Sequence, residues 1–293
     1  MSLFIITDSA SDVVDKSRED LIVLPLKVRF DDGSEYLDGV NITHQEFYEK
    51  LIESDALPTT SQINPFDFTE CFNKIKEAGD EAIVMTLSAK LSGTYQSACI
   101  AADDFEDCIT VVDTNNATMG ELTLVDYALR LKDEGKTRSE IVEIIETEKN
   151  DIQLIGLVDT LEYLKKGGRI SATVALAGGM LAIKPVVALE DGVIVMKGKA
   201  RGSKNAENLF ITTINASGGI DFSKPYRVGY TGLSDHLVKK YIEDSSSMWD
   251  KYVDDIPYQT IGGTIGTHVG PGAVAAAFFP KHPERLQNLT KNS

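Results

Sequence analysis

Through roughly the first 150 residues of this chain, short β-rich apolar runs alternate with longer stretches whose apolar positions recur at helical spacing. That alternation admits few architectures. Leu3-Phe4-Ile5-Ile6-Thr7 ends at Asp8-Ser9 and reads as a buried strand with a loop at its carboxyl end. A second run, residues 21–30, closes at the turn Asp31-Asp32-Gly33, and residues 82–87 and 110–113 give two further strands. Between them, Thr43 and Glu46 form a capping box for a helix over 43–54. Further helices are expected from near Pro65, over 94–102, 122–132 and 138–149. Strands and helices in this order imply a largely parallel sheet covered on both faces, a three-layer α/β/α domain over residues 1–152.

Beyond residue 152 the texture changes. Residues 154–158, 184–189, 193–197 and 226–230 are strand-like, and Asp191-Gly192 supplies a hairpin turn between the second and third. A second, two-layer α/β domain with a mixed sheet is expected over 153–280, followed by a tail, 281–293. Its last strand, near 258–265, is expected to run into Gly266-Thr267-His268-Val269-Gly270-Pro271-Gly272 and open a small-residue helix over 273–279.

The chain has 293 residues, 42% of them hydrophobic and 25% charged, values of a folded globular protein. A net charge of −16 with scattered basic residues repels a nucleic acid or an anionic membrane at long range. A compact site for one anion is still compatible with it, because backbone dipoles and hydroxyls act at hydrogen-bond distance. Cys71, Cys99 and Cys108 lack the spacing of a zinc or redox motif and read as buried thiols in a reducing compartment. The N-terminus has no basic region and no small-residue cleavage site, and the longest apolar stretch, 174–189, is too broken to span a bilayer. A cytoplasmic location is the expectation.

Three segments place hydroxyls in a loop before an expected helix: Pro58-Thr59-Thr60-Ser61-Gln62, Leu91-Ser92-Gly93-Thr94, and Gly266-Thr267-His268. Helix amino-termini leave backbone donors unpaired and attract anions, so convergence of these loops would make an anion pocket. Ser and Thr at helix starts are equally plain N-caps. Neither of the first two matches a P-loop, which ends in Gly-Lys-Ser/Thr. His268 is the histidine inside the glycine-rich segment, and His44, His236 and His282 show no metal-ligand spacing with it. A triad of Ser92, His268 and Asp8 is conceivable, but Leu-Ser-Gly-Thr lacks the nucleophile elbow of serine hydrolases.

These segments resemble the DegV family, whose members bind fatty acids and include the carrier subunit of the bacterial fatty acid kinase. The resemblance rests on Thr7-Asp8-Ser9, the segment at 58–62, Leu91-Ser92-Gly93-Thr94-Tyr95-Gln96-Ser97-Ala98, Tyr163-Leu164-Lys165-Lys166-Gly167-Gly168-Arg169-Ile170-Ser171, and the segment from Gly266 to Ala273. It implies two α/β domains with a fatty acid between them. Thr60, Ser61, Ser92 and His268 would hold the carboxylate, with Gly93 and Thr267 contributing through backbone or hydroxyl. It further implies no catalytic residue, metal or cofactor in this chain. A separate ATP-dependent kinase would convert the bound acid to an acyl phosphate, docking on a surface that includes Arg169, Arg201 and Lys204. Transient exchange with a membrane would load the carrier. The alternatives are a small-molecule serine hydrolase using Ser92, and a phosphotransferase subunit related to dihydroxyacetone kinases. Ala89, Ile63-Asn64 and Gly262-Gly263 depart from the family pattern without touching the carboxylate donors.

Overall fold

In the computed structural model, which describes residues 2–171, 183–249 and 256–281, the apolar runs of the first half form one parallel sheet. β1 (Leu3–Asp8), β2 (Leu21–Leu24), β6 (Glu81–Thr86) and β7 (Ile109–Asp113) lie in the order β2-β1-β6-β7. Side chains alternate across a strand. Ile6 and Val84 therefore enter a core with Phe68, Phe72 and Ala98, while Ile5, Ile83 and Met85 enter another with Leu124, Ala128 and Ile145. Helices α2 (Pro65–Ala78) and α3 (Thr94–Ala102) supply the first core, and α4 (Thr118–Asp133) and α5 (Arg138–Glu148) the second. Burial on both faces is why these strands are continuously apolar.

The run over 21–30 is two strands. Pro25 has no N–H for a ladder, and beyond it β3 (Lys27–Arg29) leaves the parallel sheet to pair antiparallel with β4 (Glu35–Leu37) and β5 (Thr59–Ser61). α1 (His44–Glu53), begun by the expected capping box of Thr43 and Glu46, backs this small sheet through Phe47 and Tyr48 packed on Val28 and Phe30.

The second half is a mixed sheet of six strands in the order β10-β9-β8-β13-β11-β12. These are β8 (Gln153–Leu157), β9 (Ile183–Glu190), β10 (Val193–Arg201), β11 (Tyr226–Tyr230), β12 (Tyr258–Thr260) and β13 (Val274–Phe278). One face packs Ile155, Leu157 and Val186 on Phe210 and Ile214 of α7 (Ser203–Ala216) and Tyr241 of α8 (His236–Asp244). The α/β class, with one parallel and one mixed sheet, is the one the alternation implied. Of the broken apolar stretch 174–189, the part before Ile183 lies outside the described residues, as do His282 and the rest of the tail beyond Lys281. Among the described residues no helix is long and apolar enough to cross a membrane. Cys71 and Cys108 are buried, whereas Cys99 is only half-buried.

Two expectations near the C-terminus are corrected. Residues 274–278 are not a helix but a strand, β13, buried along its length between β8 and β11. The three alanines favour a helix locally, but the slot has one core on each side: Val274 and Ala276 fill one, Ala275 and Ala277 the other. Tertiary packing overrides propensity here. The segment Gly266-Thr267-His268, expected as a loop opening a helix, is instead inside one. β12 stops at Thr260, and α10 (Gly263–Val269) ends at Gly270, whose φ of 76° breaks the helix.

Candidate functional site

The face of the mixed sheet turned away from α7 and α8 looks toward α10 and the carboxyl ends of the parallel strands. A cavity of about 350 Å³ lies between them, within the usual size of small-molecule sites. Leu154 and Gly156 on β8, Val187 and Leu189 on β9 and Ala275 on β13 line it from the sheet, with Ala188 and Val274 reaching its edge from the same strands. Leu26, Leu87, Leu91, Ile261 and Ile265 line it from the other side. This interior is mainly aliphatic and buried: Leu26, Leu87, Leu154 and Ile261 are all under a tenth exposed, and the buried Thr118 and Thr264 join them in the wall.

Polar groups gather where the cavity meets solvent. Thr60 and Ser61 on β5, Gln62 just after it, Ser92 and Gly93 before α3, and His268 on α10 all line the cavity. Ser61 and Gln62 are exposed, and Thr60, Ser92, Gly93 and His268 half-buried. Thr60 Oγ1 lies 2.8 Å from His268 Nε2. Ser92 Oγ is 2.9 Å from Thr94 Oγ1 and accepts from Thr94 N at 3.2 Å. Gln62 Nε2 donates to Ser97 Oγ at 2.9 Å, which ties the end of β5 to α3. Gly93 is the residue before the first turn of α3, where backbone donors have no helical partner.

Arg169 also lines the cavity, a position the sequence reading assigned to a docking surface. Its guanidinium donates to the carbonyls of Leu91 at 3.2 Å and Gly167 at 2.5 Å, placing a positive charge beside the Ser92 loop. Arg201 and Lys204 are exposed where β10 meets α7 and take no part in the cavity. Thr267 is likewise absent from the cavity wall. Its buried hydroxyl donates to Gly263 O at 2.8 Å, one turn back along its own helix.

Burial, with a smaller contribution from the Arg169 charge, pushes the His268 imidazole from 6.5 down to about 4. At neutral pH the ring is uncharged and works through hydrogen bonds. The depression also fixes a sign for stability. As pH falls below 6.5 the unfolded chain takes up a proton that the folded chain refuses until about 4, so stability falls across that window, by up to roughly 3 kcal/mol. His268→Gln is expected to flatten this acid-side loss relative to the parent, measured by urea unfolding between pH 4.5 and 7. A parallel pair of curves would contradict it.

Buried carboxylates hold α10 in place. Asp38 Oδ1 accepts from Gly263 N and Oδ2 from Thr264 N, both at 2.9 Å, and Asp12 Oδ1 accepts from Gly262 N at 2.7 Å. A side chain on Gly262 would press on Asp12 and His44, and one on Gly263 on Phe47. The glycine pair thus lets the helix start sit directly on its carboxylate caps. Asp38→Ala is expected to destabilise the fold by about 2–3 kcal/mol in denaturant titrations, with Asp38→Asn recovering part of the loss. An effect under about 0.5 kcal/mol would remove Asp38 from this role.

The conceivable triad is not assembled. Asp8 is fully buried with its two oxygens accepting from Ala10 N and Leu87 N, each at 2.9 Å, and burial pushes its carboxyl up to about 7. It is engaged with backbone and does not orient His268, whose Nε2 faces Thr60 and whose Nδ1 has no hydrogen-bond partner among the described residues. Sequence reasoning missed Gly156, Asp12 and Asp38. Gly156 is silent in a sequence, and the two aspartates look like surface acids until the chain folds over them.

A family model described as an uncharacterised protein of the DegV family matches residues 2–281. A DegV domain-containing protein of Caldanaerobacter subterraneus subsp. tengcongensis is 37% identical over 284 residues, covering 94% of this chain and 98% of the relative. A DegV family protein from Thermus thermophilus, whose structure is described as fatty acid binding, superposes with a TM-score of 0.84 at 33% identity over 95% of this chain and 100% of the other. A stearic acid-binding protein from Eubacterium ventriosum superposes with a TM-score of 0.84 at 26% identity, over 94% of this chain and 97% of the other. A match that runs through both sheets and every polar segment at the cavity mouth leaves one assignment: this chain belongs to the DegV family.

Proposed function

We propose that this chain is a cytoplasmic fatty-acid carrier, binding one acyl chain between a domain of residues 1–152 and one of residues 153–280. The carrying observation is the division within the cavity, mainly aliphatic inside and rich in hydroxyl and imidazole groups at the mouth. Each buried methylene contributes ~0.8 kcal/mol, so an acyl chain of about sixteen carbons has ample driving force. The relatives from Thermus thermophilus and Eubacterium ventriosum, described as binding fatty acid, support the same ligand class.

The headgroup's role is orientation. A carboxylate at the mouth would accept from Thr60, Ser61, Ser92 and His268 and from backbone donors at Gly93, with Arg169 as the nearby charge. Neutral donors satisfy a carboxylate without sealing it in an ion pair. One oxygen is then left open to attack the γ-phosphate of ATP on a separate kinase, forming the acyl phosphate and releasing ADP. The exposed cations Arg201 and Lys204 are the proposed docking positions for that kinase. The chain itself supplies no catalytic group in this reading, and it loads by transient exchange with a membrane.

Native mass spectrometry of the protein purified from a bacterial host tests the carrier reading. A co-purifying mass of a long-chain fatty acid is expected. Protein that emerges empty, and takes up no added fatty acid, would sink the proposal. Adding a purified bacterial fatty acid kinase and ATP, then trapping acyl phosphate with hydroxylamine, tests the second step.

A further inference from the structure

At one place in the cavity wall the β9–β10 turn meets the loop after β6. Leu189 and Ile194 flank the Asp191-Gly192 turn, Leu87 and Leu91 flank Ser88-Ala89-Lys90, and all four line the cavity. Between these pairs the two halves touch through polar groups. Ser88 Oγ, fully buried, donates to Gly192 O at 2.8 Å, and Lys90 Nζ donates to Asp191 O at 2.6 Å.

Gly192 has a φ of +75°, and a Cβ built on it would lie 2.5 Å from Ser88 Oγ. The turn therefore needs glycine for its conformation and again for its close approach to the loop. Ser88 is also the backbone pivot of the headgroup loop, because its carbonyl accepts from Leu91 N at 2.9 Å and from Ser92 N at 3.2 Å. Ser88 N also donates to Asn116 O at 2.7 Å, so the turn and the segment before α4 together hold Ser88, and with it Ser92.

We propose that the Asp191-Gly192 turn is a latch on the headgroup loop, and that releasing Ser88 and Lys90 from it opens the seam between the sheets through which the acyl chain enters and leaves. This rests on the fatty-acid reading above and adds the route and control of exchange. Two polar contacts to a two-residue turn give way before the packed cores on either side do. Ser88 and Lys90 act on the ligand through the loop, so they are positioning residues. Their loss is felt in the rate of exchange, with Ser92 still available to the headgroup.

The test is stopped-flow release of a fluorescent C16 fatty acid from the full chain. Ser88→Ala and Lys90→Ala are each expected to release it at least fivefold faster than the parent. Ser88→Ala also unpairs the buried Gly192 O and Lys90 N, so its lipid-free unfolding midpoint should fall modestly, whereas Lys90→Ala removes an exposed side chain and should keep the parent's midpoint. The complementary variant is Lys90→Arg, which keeps a cationic donor for Asp191 O and should release the lipid within twofold of the parent.

Release rates within twofold of the parent in both alanine variants overturn the latch, as does release from Lys90→Arg as fast as from Lys90→Ala. A parent that takes up no fatty acid overturns the carrier reading and the latch together. That outcome is distinct from binding with unaltered exchange, which overturns the latch alone.

Discussion

Gly156→Phe is expected to abolish fatty-acid binding, raising the dissociation constant at least a hundredfold while the lipid-free protein stays folded. Gly156 sits inside β8 between β9 and β13, with its missing side chain directed at the cavity. A Cβ there would make only ordinary contacts, 3.5 Å to Val187 Cγ2 and 3.8 Å to Val274 O. The backbone therefore accepts a side chain, and an aromatic residue has a higher strand propensity than glycine. The ring would occupy space that the acyl chain needs. Excluding even four methylenes removes about 3 kcal/mol, and steric overlap adds to this. Titration with a fluorescent fatty acid, alongside thermal unfolding of the lipid-free chain, checks both halves. Binding within threefold of the parent would show that the chain does not run past β8.

His268→Ala is expected to weaken binding by roughly 10- to 100-fold, as for loss of one hydrogen bond to a charged group, about 1.5–3 kcal/mol. Unlike the Gly156 variant, it leaves the tail's driving force intact, so binding is weakened and not lost. Thr60→Ala should cost less. Because Thr60 Oγ1 and His268 Nε2 are 2.8 Å apart and orient one another, the double variant should cost less than the two singles added. A double-mutant cycle by isothermal titration reads this directly. Strict additivity would separate the two residues, and an unchanged affinity in both singles would take the headgroup away from them.

How much of this was legible in the sequence depends on where each signal came from. The parallel sheet was readable because strands buried on both faces are written as unbroken apolar runs such as Leu3-Phe4-Ile5-Ile6. The helix from His44 was readable because its cap is local, Thr43 with Glu46. β13 was not, because Val274-Ala275-Ala276-Ala277-Phe278 carries a helix former's composition into a slot defined by two cores that other segments build. The split at Pro25 was visible only as a single residue, and the short strands β4 and β5 have no pattern of their own.

The site shows the same division. Hydroxyls before helices and a histidine among glycines mark donors for an anion, but Thr60 and His268 are 208 positions apart and their contact exists only in the fold. Thr267 lay one residue from His268 and carried the same chemistry. Helical geometry turns it onto Gly263 O and away from the cavity. The carboxylates that seat α10 come from loops 225 and 250 positions away from the glycines they cap. No local spacing announces such a cap.

A crystal structure of the chain with a C16 fatty acid bound tests the binding site most directly. Continuous density is expected for the acyl chain along Leu154, Val187 and Ala275, with the carboxylate within hydrogen-bond distance of Thr60, Ser92 and His268. A carboxylate seated away from those three side chains, or an acyl chain lying outside the space between the two sheets, would contradict it.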